Sequence, residues 1–274
     1  MKKIRSPIVD GIFYPDDGEA LTERTQKLLS DAPQTEMRIQ KPIRGIIVPH
    51  AAYDFAGQVA ARAFKACTDR VVKTVVLLGS VHREPAEQIY VTESEAFSTP
   101  AGDLLVDTEK AEDLVSCSTT IIAKDIPHLE EHCLEVQLPF IQILFPGVSI
   151  LPVLLGGKTK RTVEACARAF RTVFLDDLES TLFVVTSNTA AAETADAARQ
   201  QAEIFKQYLK TTDLPALTDP QVQKSISACG AACASVLFHE QLGCTEVQYL
   251  GEAVSKDTDP EIKPIVHYAS YIVS

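Results

Sequence analysis

No stretch of this 274-residue sequence is apolar enough to span a bilayer as a helix. The opening segment MKKIRSPIVDGIFYPDDGEAL starts basic but has no apolar core and no small-residue cleavage site, so no secretory leader is expected. Basic residues are outnumbered: 26 Lys and Arg stand against 37 Asp and Glu, a formal net charge of −11, and those present are dispersed. A nucleic-acid partner, whose phosphates need a basic face, is therefore not expected. Neither GxGxxG nor GxxxxGK(S/T) occurs, which argues against a nucleotide cofactor held in a glycine-rich loop. There is no GxSxG elbow for serine hydrolysis and no Lys/Arg cluster suited to phosphoryl transfer. Internal repeats, low-complexity tracts and linker-like stretches are also missing, so residues 1–274 read as one domain. The seven cysteines are odd in number and scattered, with Cys67, Cys166 and Cys233 inside apolar stretches. That usage fits reduced thiols in a cytoplasmic protein rather than a disulfide framework.

What is present is alternation. Short β-branched runs alternate with longer amphipathic segments, the pattern of strands joined by crossover helices. Strands are predicted at 45–49 (GIIVP), 72–80 (VKTVVLLGS), 149–155 (SILPVLL) and 180–187 (STLFVVTS). Helices are predicted at 57–67, 130–145, 160–174, 192–209 and 229–243, with Pro139 expected to kink or divide the second because it lacks an N–H and crowds the preceding turn. The segment QIYVTESEAFSTPAGDLLVD reads as two strands joined through a Pro-Ala-Gly turn. EVQYLGEAVS and KPIVHYASYIVS both read as strands. The expected architecture is α/β, with a central mostly parallel or mixed sheet flanked by helices on both faces.

In open α/β sheets ligands bind beyond the carboxyl ends of the strands, where loops diverge from a rigid frame. GIIVP runs into His50, VVLLGS is followed by Val81 and His82, and LFVVTS leads to Asn188. Two of these three strand ends carry a histidine, which points to a site, against the competing reading of hydrogen-bonded structural imidazoles. Two imidazoles alone hold a metal weakly, so a thiolate or carboxylate is needed as well. Cys229 is the best thiol. It starts the apolar helix CGAACASVLF, where the helix dipole and unpaired N–H groups favour thiolate; a small core cysteine beside glycine is the alternative. HLEEH, from His128 to His132, matches the HxxEH zinc-peptidase pattern, a short motif that begins just after Pro127 and matches readily by chance.

Taken in order, GIFYPDDGEAL, VPHAAYDFAG, LLGSVH, FSTPAGDLLVD, EEHCLEVQLPFIQ and the Cys-Gly of SACGAA resemble successive motifs of the Memo family, nearly end to end. The resemblance implies a fold similar to that of class III extradiol ring-cleaving dioxygenases, which are non-haem iron enzymes. It implies a metal pocket formed by His50, His82 and Cys229, with His132 and Tyr53 nearby and Glu135 as a supporting partner. Under it, His128 is dispensable. Two imidazoles and a thiolate suit iron, copper or zinc. One block departs from the family: where a pattern like SSDxSH is usual, this chain reads TSNTAAAE, with Asn188 in place of the Asp and Ala191 in place of the His. Alanine cannot transfer a proton, and loss of one well-placed acid/base group typically costs about 10² to 10⁴ in rate. Ring cleavage is therefore not expected, and the pocket should favour less cationic ligands. The family also implies an alternative use of the pocket, as a non-catalytic binding or scaffold module for a peptide or small molecule, with a functional link to a radical-SAM protein.

Overall fold

The computed structural model describes residues 2–36, 38–82, 86–211, 219, 222 and 227–274; the side chains of 228 and 229 are outside that description. The chain runs β1 (Ile4–Arg5), α1 (Gly18–Asp31), β2 (Gly45–Val48), a π-turn at Tyr53–Gly57, α2 (Gln58–Lys65), β3 (Thr74–Ser80) and β4 (Ile89–Val91). It continues through β5 (Ala96–Thr99), β6 (Gly102–Leu105), α3 (Thr108–Cys117), β7 (Ile121–Ala123), α4 (Ile126–Glu130), α5 (Leu138–Leu144), β8 (Ser149–Leu155), α6 (Lys160–Val173), β9 (Thr181–Thr186) and β10 (Ala190–Ala192). The last elements are α7 (Ala195–Thr211), α8 (Ala228–Phe238), β11 (Val247–Val254), α9 (Ser255–Thr258) and β12 (Ile265–Val273).

Among the described residues nine strands form the main sheet, in the order β10-β12-β2-β9-β3-β8-β4-β7, with β11 on the far side of β12. The middle, β2-β9-β3-β8, is parallel, and antiparallel pairs at β12·β2 and β8·β4 make the whole sheet mixed. Alternation of side chains sends Ile47, Val76, Leu78, Phe183 and Val185 to one face, and Ile46, Val48, Val75, Leu77, Leu182 and Val184 to the other. Each face is then covered: α6, α7 and α8 close the first, and α1, α2 and α5 close the second. Strands buried on both faces read as continuous apolar runs, which is why these were visible in the sequence. Each such side chain contributes roughly 1.5–3 kcal/mol by leaving water.

The sequence reading needs two corrections. The QIYV…LVD segment gives three strands rather than two: β4 joins the main sheet, while β5 and β6 form the hairpin around Pro100 and Ala101, in a small separate sheet with β1. The helix expected over 130–145 is not continuous. Arg5 reaches in to donate from Nε to the His128 carbonyl (2.7 Å) and from Nη2 to the Glu131 carbonyl (2.9 Å), occupying acceptors that a helical ladder would need. The helix starts afresh at α5, where Pro139 lies in the first turn. There its missing N–H costs nothing, so the segment is divided, one of the two effects expected of Pro139, with the proline opening the second helix.

Candidate functional site

Register alone brings the strand ends together. Val185 of β9 is paired with Ile47 of β2 on one side and with Leu78 of β3 on the other. Three or four residues further on, Asn188 therefore emerges between His50 and His82. The ring centres of His50 and His82 are 5.3 Å apart, and His132 stands 5.9 Å from each. The Asn188 side-chain oxygen accepts the His50 backbone N–H at 3.2 Å. Helix α8 begins at the same place. The Ser227 N–H donates to the Thr189 carbonyl, and Gly230 packs so tightly on Ser187 that a Cβ there would lie 1.6 Å from the hydroxyl oxygen. The backbone of Cys229 thus starts its helix against the end of β9, although its side chain lies outside the described residues.

The three imidazoles differ in their surroundings. His50 is 6% exposed and its Nδ1 has no hydrogen-bond partner. Burial first, and then the neighbouring His82 and His132, hold its pKa well below the ordinary value, so it is neutral with a free lone pair. The His82 side chain is 40% exposed and is clamped by Glu131: one carboxylate oxygen accepts the His82 backbone N–H (2.6 Å), the other meets ring Nδ1 (2.7 Å). Burial works to raise the Glu131 carboxyl, but the His82 hydrogen bonds outweigh it and keep the group below the usual carboxylate range. An ionised carboxylate only accepts, so Nδ1 is the nitrogen that donates to it. His132 is half-buried, lowered by burial and by His82, and its ring hydrogen-bonds the backbone of His50. Phe13 meets the same ring edge-on at 4.9 Å.

Other residues singled out in the sequence support the site from further away. Glu135 is fully buried and directed at the N-terminal segment: it pairs with Arg5 (2.6 Å) and accepts from the Tyr14 hydroxyl (2.6 Å) and from the backbone of Ile8 and Val9 (3.0 and 3.1 Å). This holds in place the loop that carries Phe13. Tyr53 is buried, donates to the Val136 carbonyl at 3.1 Å, and lies in the π-turn just after His50. Its phenol is raised by desolvation and is a structural group rather than an acid. His128 is 1% exposed, with Nε2 on the Tyr90 carbonyl and Phe97 against its ring. Helix α4 ends at Glu130, so His128 and His132 do not share a helical face and HLEEH forms no zinc-peptidase pair. Ala191 is exposed in β10, opposite Val266. Glu131 and Phe13 were missed in the sequence; for Glu131 the only signal was its place immediately before His132.

Whether these groups fit a metal can be judged from spacing. A ring bound at about 2.0–2.1 Å has its centre roughly 3.2 Å from the ion, so two rings sharing a tetrahedral ion stand about 5 Å apart. The observed 5.3 and 5.9 Å are near this value, and the unpartnered His50 Nδ1 and the carboxylate-backed His82 are the kinds of nitrogen a metal uses. Among the described residues, however, no group of three or more His, Cys, Asp or Glu side chains is arranged to hold an ion. His50 and His82 are the pair whose spacing suits an ion, while the side chain of Cys229, the third group the sequence points to, lies outside the described residues. A cavity of about 830 Å³ lies elsewhere, beside Lys206 and Tyr249, and contains no histidine. Cys67, Cys117, Cys166 and Cys244 are free thiols, and no described helix is long and apolar enough to cross a membrane.

A mixed α/β sheet with a histidine cluster beyond its parallel strand ends defines the class of protein. A family model described as Memo-like protein matches residues 5–272, and the chain belongs to that family, whose fold is related to that of class III extradiol dioxygenases. A MEMO1 family protein of Thermotoga neapolitana is 29% identical over 99% of this chain and 100% of its own length. One from Thermoplasma acidophilum is 27% identical over 98% of each chain. An uncharacterized protein from Escherichia coli K12 shares the fold, with TM-score 0.51 at 11% identity over 83% of this chain and 98% of its own.

Proposed function

We propose that the strand-end site is a transition-metal pocket formed by His50, His82 and Cys229, used for redox-related chemistry other than ring cleavage. The observation that carries this is the unpartnered, buried and neutral His50 Nδ1 next to a His82 ring whose tautomer Glu131 fixes. Buried polar atoms are seldom left unbonded without a reason, and a bound ion supplies one. Two imidazoles and a thiolate suit iron, copper or zinc, any of which would supply a Lewis-acidic centre and, for the first two, a redox-active one. The protein's own part is to hold His82 by Glu131, to seat His50 through Asn188, and to cover His132 with Phe13. The test is metal analysis of protein purified without oxygen and without chelators. About one equivalent is expected, and loss in His50→Ala, His82→Ala and Cys229→Ala; wild type that carries none and binds none at micromolar levels overturns the reading.

A second reading is favoured by Ala191. It stands where relatives carry an acid/base histidine, exposed on a short edge strand, and offers no proton. On this reading the same pocket is a non-catalytic binding module for a small molecule or peptide, with a radical-SAM protein as functional partner by family membership. Turnover of a catechol that depends on both His50 and His82 would overturn it.

A further inference from the structure

Strand β11 is an edge of the main sheet: among the described residues it pairs with β12 alone. Glu246 and Ser274 exchange both of their backbone bonds at 3.0 Å. An antiparallel ladder alternates, so Gln248 is the next residue bonded to β12, through Ile272, and Val247 and Tyr249 turn their N–H and C=O groups outward. The Val273 carbonyl has the matching phase: it faces away from Val247 and accepts the Arg44 N–H at 2.8 Å. Open edges are normally blunted. In β11 this happens further along, where the register shifts between Tyr249 and Gly251 and Arg62 donates to the Leu250 carbonyl at 3.1 Å. Along 247–249 the edge opens instead into the cavity of about 830 Å³.

That cavity has a wall on each side of the strand. Gln248 reaches over one face of the sheet, accepting the Arg38 N–H at 2.7 Å and donating to the Glu36 carbonyl at 2.8 Å, and so holds their segment beside the edge. Val247 and Tyr249 point to the other face, where Lys206 of α7 stands 4.2 Å from the Tyr249 ring centre. Lys206 keeps one exposed partner, Glu203 at 3.4 Å. Lys210, one turn further on, lines the same wall and is exposed, with no ion pair among the described residues. The acids of the lining are elsewhere: Glu36 lies 3.9 Å from Arg38, and the Glu246 carboxylate accepts from the Gln40 N–H and the Ser274 hydroxyl.

We propose that this slot binds an extended peptide segment of a partner protein as an additional strand on β11, with acidic side chains of that segment against Lys206 and Lys210. The outward groups of Val247 and Tyr249 supply the main-chain bonds, and alternation sends every second side chain of the guest to the α7 wall, where the charge is positive. A second copy of this chain does not fit. Its own β11 edge carries the same two walls, which would collide with the first pair before the strands came within about 4.8 Å. The slot is independent of the histidine site: Val247 lies opposite Val273, which pairs with Gly45 at the start of β2, whereas His50 follows the end of that strand.

The probe is a fluorescein-labelled peptide, TVEVEVT, with TVKVKVT as its cationic counterpart, each followed by fluorescence anisotropy. Val247→Pro removes an N–H that β12 does not use, a change an edge strand tolerates, and Lys210→Glu reverses an exposed charge. TVEVEVT is expected to bind wild type, to weaken at least about tenfold in V247P and to weaken about threefold or more in K210E. TVKVKVT is expected to bind wild type less tightly than TVEVEVT and to gain in K210E. Absence of TVEVEVT binding to wild type up to about 1 mM, or equal affinity in wild type and V247P, overturns the proposal. Should V247P fail to fold, TVEVEVT N-methylated at alternate residues takes its place: one of the two alternate sets must abolish binding, and tolerance of both sets overturns strand addition. A wild-type dimer in sedimentation that V247P dissociates also overturns it, giving the edge to a second copy.

Discussion

Glu131 grips His82 twice, through the backbone N–H at 2.6 Å and ring Nδ1 at 2.7 Å, so one side chain sets both the position and the tautomer of the exposed histidine. Replacing it by glutamine keeps the size but lets the amide present N–H toward the ring, which frees the imidazole to rotate or to take the other tautomer. Partners of this kind typically change metal affinity by about 10- to 100-fold. Glu131→Gln should therefore weaken metal binding by that factor in a competitive chelator titration, with the fold intact by circular dichroism. Unchanged affinity would mean that His82 is not a ligand or does not depend on Glu131.

Arg5 and Glu135 form a buried ionic contact, 1% and 0% exposed at the side chains. Removing one partner strands a charge in the interior, which typically costs about 3–5 kcal/mol. Arg5→Ala should lower unfolding free energy by that amount in urea, and the double variant Arg5→Met/Glu135→Leu should lose less than the sum of the two single changes. In Arg5→Ala the N-terminal segment loosens as well, and with it the Phe13 edge on His132. A measurable effect on the histidine site is thus expected from a residue that touches none of its rings.

Much of this was legible because strands buried on both faces announce themselves, and their ends are then fixed by register. His50, His82 and Asn188 fall together once β9 lies between β2 and β3. Glu131 and Phe13 were not legible, because each owes its position to chain reversals made far away in sequence. The helix expected over 130–145, kinked or divided at Pro139, lacks its first part for the same reason: Arg5, more than 120 residues earlier, occupies the carbonyls of His128 and Glu131. Pro139 was read by its usual effect inside a helix, whereas its actual place in the first turn depended on that interruption. The Cys229 side chain lies outside the described residues, so sequence and the backbone of α8 are what link it to the site.

His128 makes stability depend on pH. Burial, only partly offset by the bond to the Tyr90 carbonyl, pushes its pKa from 6.5 to about 4. The unfolded chain protonates near 6.5 while the folded chain stays neutral until about 4, so between these values the unfolded state binds more protons. Stability is full above 6.5 and falls as pH drops through that window, by about 3 kcal/mol at 1.36 kcal/mol per pH unit. Asp125 adds a second loss further down: burial would raise it, but bonds from Thr92, Lys3, the Glu93 backbone and Ser94 bring it to about 2. Chemical denaturation at pH 7.5, 6 and 5 should show the first slope, and His128→Gln should flatten it without removing metal. Metal loss in that variant would bring HLEEH back as a site.

Gly230 and Ser187 test whether the start of α8 belongs to the site. A Cβ on residue 230 would lie 1.6 Å from the Ser187 hydroxyl oxygen and 2.6 Å from its Cβ, with the Asn188 carbonyl next at 3.4 Å. Neither serine atom can move far, since the residue is fully buried and its backbone N–H is bonded to Val48. In Gly230→Ala the helix must therefore shift away from the end of β9, carrying Cys229 with it. Overpacking of this sort costs about 1–3 kcal/mol. Removing the obstacle with Ser187→Gly takes away both close atoms, leaving only an ordinary contact to the Asn188 carbonyl. The double variant should recover stability to within the cost of the extra glycine, roughly 1 kcal/mol. It should also recover whatever metal affinity Gly230→Ala loses. Full metal affinity in the single variant, despite its lower melting temperature, would show that Cys229 is not a ligand and that the helix is only a neighbour of the histidines.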